Sequence, residues 1–254
     1  CQVALTGHPI LALFAAMAAG VCSGFVTAFL QTRLGVESIM AGIIVNTGLY
    51  TINLAVMGFS STMSLVKTDT VFSLAKSALA FTGGWYKLVI AAAVIVIACA
   101  AMVGFLGTRL GLSIRATGDN AAMVRASSIN PAFTITVGLC ISGALTALSG
   151  GLLAQFQGSS DINMGRGAIV IGLAAVIIGE VLLDKIFRNF ALKLCSVVVG
   201  AVIYYLVLQI VLQLGLNTND LKLFTAAIVA LFLSIPYWKN SIHVKKEKGG
   251  ARNA

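Results

Sequence analysis

The sequence is poor in charged residues and in histidine. Charged residues make up 10% of the 254 positions, whereas soluble domains carry about 25%. This scarcity excludes a water-soluble fold. The 2 histidines, His8 and His243, lie near the ends of the chain, so the apolar part has no histidine to act as the base of a Ser-His hydrolase. We therefore expect no catalytic residues and no enzymatic activity.

Sequence motifs that bind nucleotides or metals are missing too. No G-x-x-x-x-G-K-S/T phosphate loop occurs, so any dependence on ATP has to come from a partner chain. Cys22, Cys99, Cys140 and Cys195 fall in apolar runs without a C-x-x-C pair or a nearby histidine. This pattern favours small buried side chains over metal ligands. We expect no cofactor and no metal site.

Long apolar runs recur along the whole chain, which is 59% hydrophobic with a mean hydropathy of +0.99. A helix needs about 20 apolar residues to cross a hydrocarbon core. The sequence therefore predicts an all-α fold, a polytopic transmembrane helical bundle forming one domain over residues 1–254. About seven spans are expected, at Pro9 to Leu30, Ile39 to Met57, Leu88 to Leu106, Ile135 to Leu153, Gly167 to Leu183, Phe190 to Leu214 and Leu223 to Tyr237.

Two features of these spans stay open. The glycine-rich residues 165–179 are compatible with a fifth span that is a broken or tilted helix. The chain starts at Cys1 rather than Met, and we expect it to be truncated or processed upstream.

The basic residues predict the orientation of the spans. Of the 17 Lys and Arg residues, twelve fall in one set of connections with the C-terminal tail, and the remaining five fall in the other set. Basic residues concentrate on the cytoplasmic side, so residues 107–130 and the basic tail 239–254 should face the cytoplasm, and residues 58–87 the outside. The basic residues lack interleaved aromatics, which suits anionic lipid rather than nucleic acid.

Small residues recur every four positions in two of the spans, and this spacing keeps each set on one side of its helix. Such stripes let helix backbones approach closely in lipid, so we expect both helices to be central in the bundle. Close packing and the lining of a translocation path both remain open. The stripes consist of Ala15, Ala19, Ser23 and Thr27 in the first span, and Thr134, Gly138, Ser142, Thr146 and Gly150 in the fourth.

Polar side chains at mid-depth of the second span also have two interpretations, packing between helices or lining a translocation path. Asn46, Tyr50 and Asn53 lie at i, i+4 and i+7 of the second span. Unsatisfied amides are costly in lipid, so this face must look into protein or into a watery cavity. Hydrogen bonding between helices is one interpretation; the other places Asn46, Tyr50 and Asn53, with Ser142 and Thr146, on a translocation path.

Glu180 is the one carboxylate that falls inside a predicted span. Carboxylates in mid-membrane are expensive and usually functional, so Glu180 would be the key residue of a stand-alone secondary transporter. It lies near the cytoplasmic end of its span, however, where it can reach water or pair with Lys185 or Arg188. This second interpretation weakens the case for a secondary transporter.

The connection from Gly107 to Asn130 is the most informative segment. Asp119 is a good helix N-cap, and Asn120 to Ser127 can form about two turns that expose Met123 and Val124. Asn130-Pro131 closes the connection before the next span. A short amphipathic helix between two crossings is either a docking element or a helix that lies on the membrane surface.

This connection resembles that of the permease subunits of bacterial ABC importers of the branched-chain amino acid and ribose type. The resemblance rests on Ala116-Thr117-Gly118-Asp119-Asn120 and on the run from Arg125 to Ile129-Asn130. It extends through residues 35–58, 172–183 and 216–237. Ser128 stands where the family usually has glycine, which indicates a subgroup, the one associated with binding proteins of the tryptophan and tyrosine class.

The resemblance implies a type II-like ABC importer permease in the bacterial inner membrane, as a multi-pass chain with its C-terminus in the cytoplasm. It further implies a second permease subunit, two ATPase subunits that hydrolyse ATP, and an extracytoplasmic solute-binding protein. An aromatic amino acid is the favoured solute; branched-chain amino acids, sugars and nucleosides are alternatives. Residues implied to couple the chain to the ATPase are Asp119, Asn120, Met123, Val124 and Arg125.

Overall fold

The computed structural model describes residues 7–65, 70–73, 86–165, 168–183 and 190–213, with four single positions beyond them. The chain divides into two compact units, Cys1–Met164 and Gly165–Ala254, which are described separately. In chain order the described elements are α1 Pro9–Arg33, α2 Ser38–Val56, β1 Thr62–Ser64, α3 Tyr86–Leu106, α4 Arg109–Asp119, α5 Ala121–Ala126, α6 Pro131–Gln157, β2 Ser159–Asp161, α7 Ala168–Leu183 and α8 Phe190–Gln213.

The helices confirm an all-α polytopic membrane fold. By length and composition α1, α2, α3, α6 and residues Leu192–Ile210 of α8 can each cross a membrane. Their large apolar side chains are mostly exposed; Ile39 and Val96, for example, are 72% and 67% exposed. Exposed apolar surface on this scale suits lipid as the solvent. The number of seven spans is approximate.

The remaining two predicted spans have different outcomes. Over the described residues the fifth is one unbroken helix, α7, of 16 residues. The seventh predicted span, Leu223 to Tyr237, and the basic tail 239–254 lie outside the described residues, apart from single positions in the span. The single domain over residues 1–254 stays a prediction.

Helices α1 and α6 run antiparallel in close contact, and glycine makes this contact possible. A Cβ on Gly20 or Gly24 would overlap the carbonyl oxygen of Gly143 or of Leu139, respectively, and a Cβ on Gly143 would overlap the carbonyl oxygen of Gly20. Because lipid gives no hydrophobic drive for helix association, such close backbone approach supplies the van der Waals contact. The expectation that these two helices are central in the bundle stays a prediction.

A short β-ribbon joins the connections that follow α2 and α6. Strands β1 and β2 pair antiparallel, with Thr62 opposite Asp161 and Ser64 opposite Ser159. The ribbon begins where Gly158, with φ +67°, ends α6 and turns the chain. The buried side chain of Leu65, next to β1, packs with Ala12 of α1. The ribbon therefore covers the end of the helices at which α6 finishes.

Helices α7 and α8 form the described part of the second unit. Their backbones also approach at glycines, since a Cβ on Gly179 would overlap the carbonyl of Ser196 and one on Gly200 that of Ala175. Tyr204 is fully buried against Ala174 and Ile178. These contacts make α7 and α8 a tight helical hairpin.

Replacing Gly143 by alanine should destabilise the protein, because the added methyl group meets the Gly20 backbone. Overpacking of this kind costs about 1–3 kcal/mol. Gly150→Ala is the matched control: Gly150 lies on the same helix, and a Cβ added there would meet no atom of a neighbouring element within 4 Å, so alanine should be neutral or slightly stabilising. Melting temperatures of both variants in detergent test this; equal values would contradict the glycine contact.

Candidate functional site

A cavity of about 870 Å³ lies between α1, α2 and α6. Its volume is in the range of ligand pockets, roughly 300–1,000 Å³. Most residues of the two predicted small-residue stripes line this cavity. They are Ala15, Ala19, Ser23 and Thr27 of α1, and Ser142, Thr146 and Gly150 of α6.

The contact glycines Gly20, Gly24 and Gly143 line the cavity together with the stripe residues. The hydroxyls of Thr27 and Thr146 donate to the carbonyl oxygens of Ser23 and Ser142, at 3.0 and 2.8 Å. The lone pairs of these two hydroxyls can still accept hydrogen bonds. The wall between α1 and α6 is therefore mainly apolar, with hydroxyl groups that can accept hydrogen bonds from a ligand.

The structure places some of the predicted path residues on the cavity wall and others away from it. Asn53, Ser142 and Thr146 lie together on the cavity wall. Asn46 and Tyr50 do not line it; both are exposed on α2, Tyr50 by 42%. The cavity meets α2 along Leu49, Asn53 and Val56 instead, a strip that overlaps the predicted polar face only at Asn53.

Three polar residues of the cavity, Gln155, Ser160 and Asp161, were not found by sequence reasoning. Gln155 is 4% exposed; its side-chain nitrogen donates to the Pro9 carbonyl at 3.2 Å and its oxygen accepts from the Val71 amide at 2.9 Å. Ser160 and Asp161 belong to β2. A glutamine inside an apolar run was a signal available in the sequence.

Gln155 holds the segment 70–73 beside α6. The Phe72 and Phe156 rings pack edge to face at 5.6 Å between centroids. The Lys87 ammonium also lies over the Phe156 ring, 5.0 Å from its centroid, in a cation–π arrangement. Contacts from α1, α3 and the segment 70–73 therefore meet at this end of α6.

At the opposite end of α6, the connection 107–130 contains two helices rather than one. Helix α4 was not predicted. It begins at Thr108, whose hydroxyl accepts from the Gly111 amide at 3.2 Å, and a Cβ on Gly111 would overlap the backbone of Leu106. Glycine at position 111 thus permits the tight turn from α3 into α4.

The predicted cap of the short helix is off by one residue. Asp119 is the last residue of α4, and Asn120 is the N-cap of α5. The Asn120 side-chain oxygen accepts from the amides of Ala122 and Met123 at 3.0 and 3.1 Å. Asp119 is unable to cap because its backbone still belongs to the preceding helix.

The prediction that Val124 is exposed is wrong. Val124 is 2% exposed, whereas Met123 is 56% exposed. Helix α5 has only 6 residues and contacts α6, so one of its apolar side chains turns inward. Asp119, Asn120 and Arg125 are exposed. The exposed surface of α5 is therefore formed around Met123 without Val124.

Helix α4 is attached to the start of α6. The hydroxyls of Thr117 and Thr134 lie 2.9 Å apart, and both residues are buried. Nearby, a Cβ on Gly138 would make ordinary contact with Ile114 of α4. Asn130 caps α6 by accepting from the Ala132 amide at 3.0 Å, and Pro131 opens the helix, as predicted. The connection is thus a defined structure seated on α6.

Ser128 adopts the left-handed conformation, with φ +61°. The Ile129 amide donates to the Val124 carbonyl and the Ser128 amide to the Arg125 carbonyl, at 3.3 and 3.2 Å. This pair of bonds is a Schellman motif, which usually carries glycine at the position of Ser128. The glycine typical of the resembled family is therefore explained by the backbone here.

Comparison with known families gives a match over residues 2–234, to the permease component of branched-chain amino acid transport systems. The chain belongs to this permease family. It is also 36% identical over 226 residues to the tyrosine transport system permease protein of Clostridioides difficile, covering 89% of this chain and 72% of that one. An uncharacterized protein of Rickettsia prowazekii is 32% identical over 227 residues, covering 88% and 78%. No solved structure matches.

Family membership settles the general role of the chain. It is a multi-pass membrane permease of the ABC importer type for small solutes, and a transport subunit rather than an enzyme. Permeases of this family work with ATPase and binding-protein partners. Glu180, the key residue of the alternative carrier, is exposed on α7, and its predicted partners Lys185 and Arg188 lie outside the described residues.

Replacing Ser128 by glycine should stabilise the end of α5, because a left-handed serine costs about 1–2 kcal/mol and part of this gain is offset by the greater freedom of unfolded glycine. Hydrogen exchange of the α5 amides in the permease should slow by about two- to five-fold. Ser127→Gly is the control: Ser127 has φ −84°, so glycine there should speed exchange. Equal effects of the two variants would contradict the cap.

Proposed function

We propose that this permease carries an aromatic amino acid such as tyrosine through the cavity between α1, α2 and α6. The similarity to a tyrosine transport system permease supports the substrate class. The cavity supports it as well, because its small apolar wall with a few polar groups suits a compact amphipathic solute. Asn53, Ser142 and Thr146 would form hydrogen bonds along the path.

In the proposed assembly a binding protein delivers the solute from outside, and two ATPase subunits dock on two permease copies from the cytoplasm. The excess of basic residues on one side supports this orientation. It places the β-ribbon outside and puts α4, α5 and the C-terminus in the cytoplasm. The exposed Asn46 on α2 needs a hydrogen-bonding partner in the membrane, which a second permease copy would supply.

The proposed coupling path runs from Met123 to the cavity. Met123 is an exposed apolar anchor on α5, which is capped at both ends by Asn120 and the Ser128 turn. Helices α4 and α5 are seated on α6, and α6 carries Ser142 and Thr146 on the cavity wall. A displacement of α5 by the ATPase would therefore move one wall of the cavity. Asp119, Asn120 and Arg125 would add polar contacts around Met123.

Met123→Glu tests the docking surface. A charge placed in the apolar contact between α5 and the ATPase should lower ATP-driven uptake more than ten-fold, because unpaired charges are costly at interfaces. Membrane insertion should stay intact. Met123→Leu keeps the apolar volume and should retain uptake. Because Val124 is buried, a charge there would disturb the fold and is not a clean test. Unchanged uptake in Met123→Glu would refute the coupling role of α5.

Competition for uptake tests the solute. In proteoliposomes containing the permease, its ATPase subunits and its binding protein, excess unlabelled phenylalanine or tryptophan should reduce uptake of labelled tyrosine strongly. Leucine should compete weakly and ribose not at all, since neither presents an aromatic ring beside an amino acid backbone. Preferential uptake of leucine or of ribose would assign the permease to another substrate class.

A further inference from the structure

We propose that Asp161 binds the ammonium group of the transported amino acid at the end of the cavity covered by the β-ribbon. The inference rests on the proposed function, because it concerns an amino acid entering this cavity. It assigns a role in recognition to a residue of the connection between spans rather than of a span. Asp161 would thereby select solutes that carry a positive charge next to an apolar body.

The first observation in support of this role is the charge of the cavity. Among the described residues that line it, Asp161 alone is charged, and the other lining residues are small, apolar or neutral polar. A single carboxylate in such surroundings attracts a cation, because no opposite charge on the described lining offsets it. An anionic solute would be repelled there, and a neutral sugar would gain nothing from the charge.

The position of the carboxylate is the second step. Asp161 is fixed in β2 opposite Thr62, and its Oδ1 accepts from the Asn163 amide at 2.7 Å. It is partly buried, and no ion pair within the described part of the chain neutralises it. One carboxylate oxygen is therefore held by the protein, and the other remains available to a ligand.

The chemistry of the neighbouring wall is the third step. An amino acid also presents a carboxylate, which needs donors, and a side chain, which needs apolar surface. Asn53 lines the same cavity and carries an amide that can donate. The alanine and glycine positions of α1 and α6 offer flat apolar surface for a ring.

A metal ion is a poorer occupant of this place. A stable metal site needs several ligands, and the described residues contain no group of three or more His, Cys, Asp or Glu side chains. An ammonium ion, in contrast, can be bound by one carboxylate with hydroxyl and carbonyl oxygens around it. The presence of one carboxylate without further acidic ligands therefore favours a primary ammonium group.

Asp161→Asn is a sharp test, because asparagine can still accept from the Asn163 amide and only the charge is lost. In proteoliposomes with the complete transporter, tyrosine uptake should fall at least ten-fold, while the melting temperature stays unchanged. Glu37→Gln is the matched control: Glu37 is an exposed carboxylate beside α2 with no side-chain cap bond, and uptake should be unaffected. Uptake by Asp161→Asn within two-fold of the parent would overturn the proposal.

A second measurement needs no variant. Carbodiimide amidation of the parent complex, read by mass spectrometry, should modify Asp161 less when tyrosine is present. The deaminated analogue 3-(4-hydroxyphenyl)propionate should give no protection, and Glu37 should react equally in all samples. Protection by neither compound, or by both equally, would overturn the role of Asp161. A parent complex that takes up ribose or leucine instead of tyrosine would refute the proposed function itself, a separate result.

Discussion

The close backbone contact between α1 and α6 is the interaction on which the rest of the first unit depends. In lipid, apolar side chains gain little from one another, so helices associate where small residues allow dense packing. Gly20, Gly24 and Gly143 bring the two backbones together and fix the register of the pair. The cavity beside the contact and the reach of Gln155 to Pro9 follow from that register.

Helix α6 spans three regions of the unit. Its 27 residues extend about 40 Å at 1.5 Å per residue. Thr134 contacts α4 at one end, Ser142 and Thr146 line the cavity in the middle, and Gln155 binds the segment 70–73 at the other end. In the proposed transport cycle, a movement of this one helix would shift all three regions together.

The spans were predictable because a long apolar run has few solutions in a membrane other than a helix. The Asn130-Pro131 cap was predictable for a local reason as well. Helix α4 was missed because Arg109–Asp119 mixes basic, apolar and glycine residues in a pattern typical of a loop. Asp119 was predicted as the cap of α5 instead of Asn120 because both residue types can cap a helix. The position at which α4 ends decides between them, since Asp119 still belongs to α4. The ribbon pairs residues about a hundred positions apart, so no local pattern could place Asp161 beside the cavity.

The two hydrogen bonds of Gln155 set the energy scale of the contact between α6, α1 and the segment 70–73. A hydrogen bond contributes about 0.5–1.5 kcal/mol net, so the bonds to Pro9 and Val71 together contribute on the order of 1–3 kcal/mol. This is a small part of the roughly 5–15 kcal/mol that stabilises a whole domain. Losing both bonds would therefore loosen the segment 70–73 without unfolding the helices.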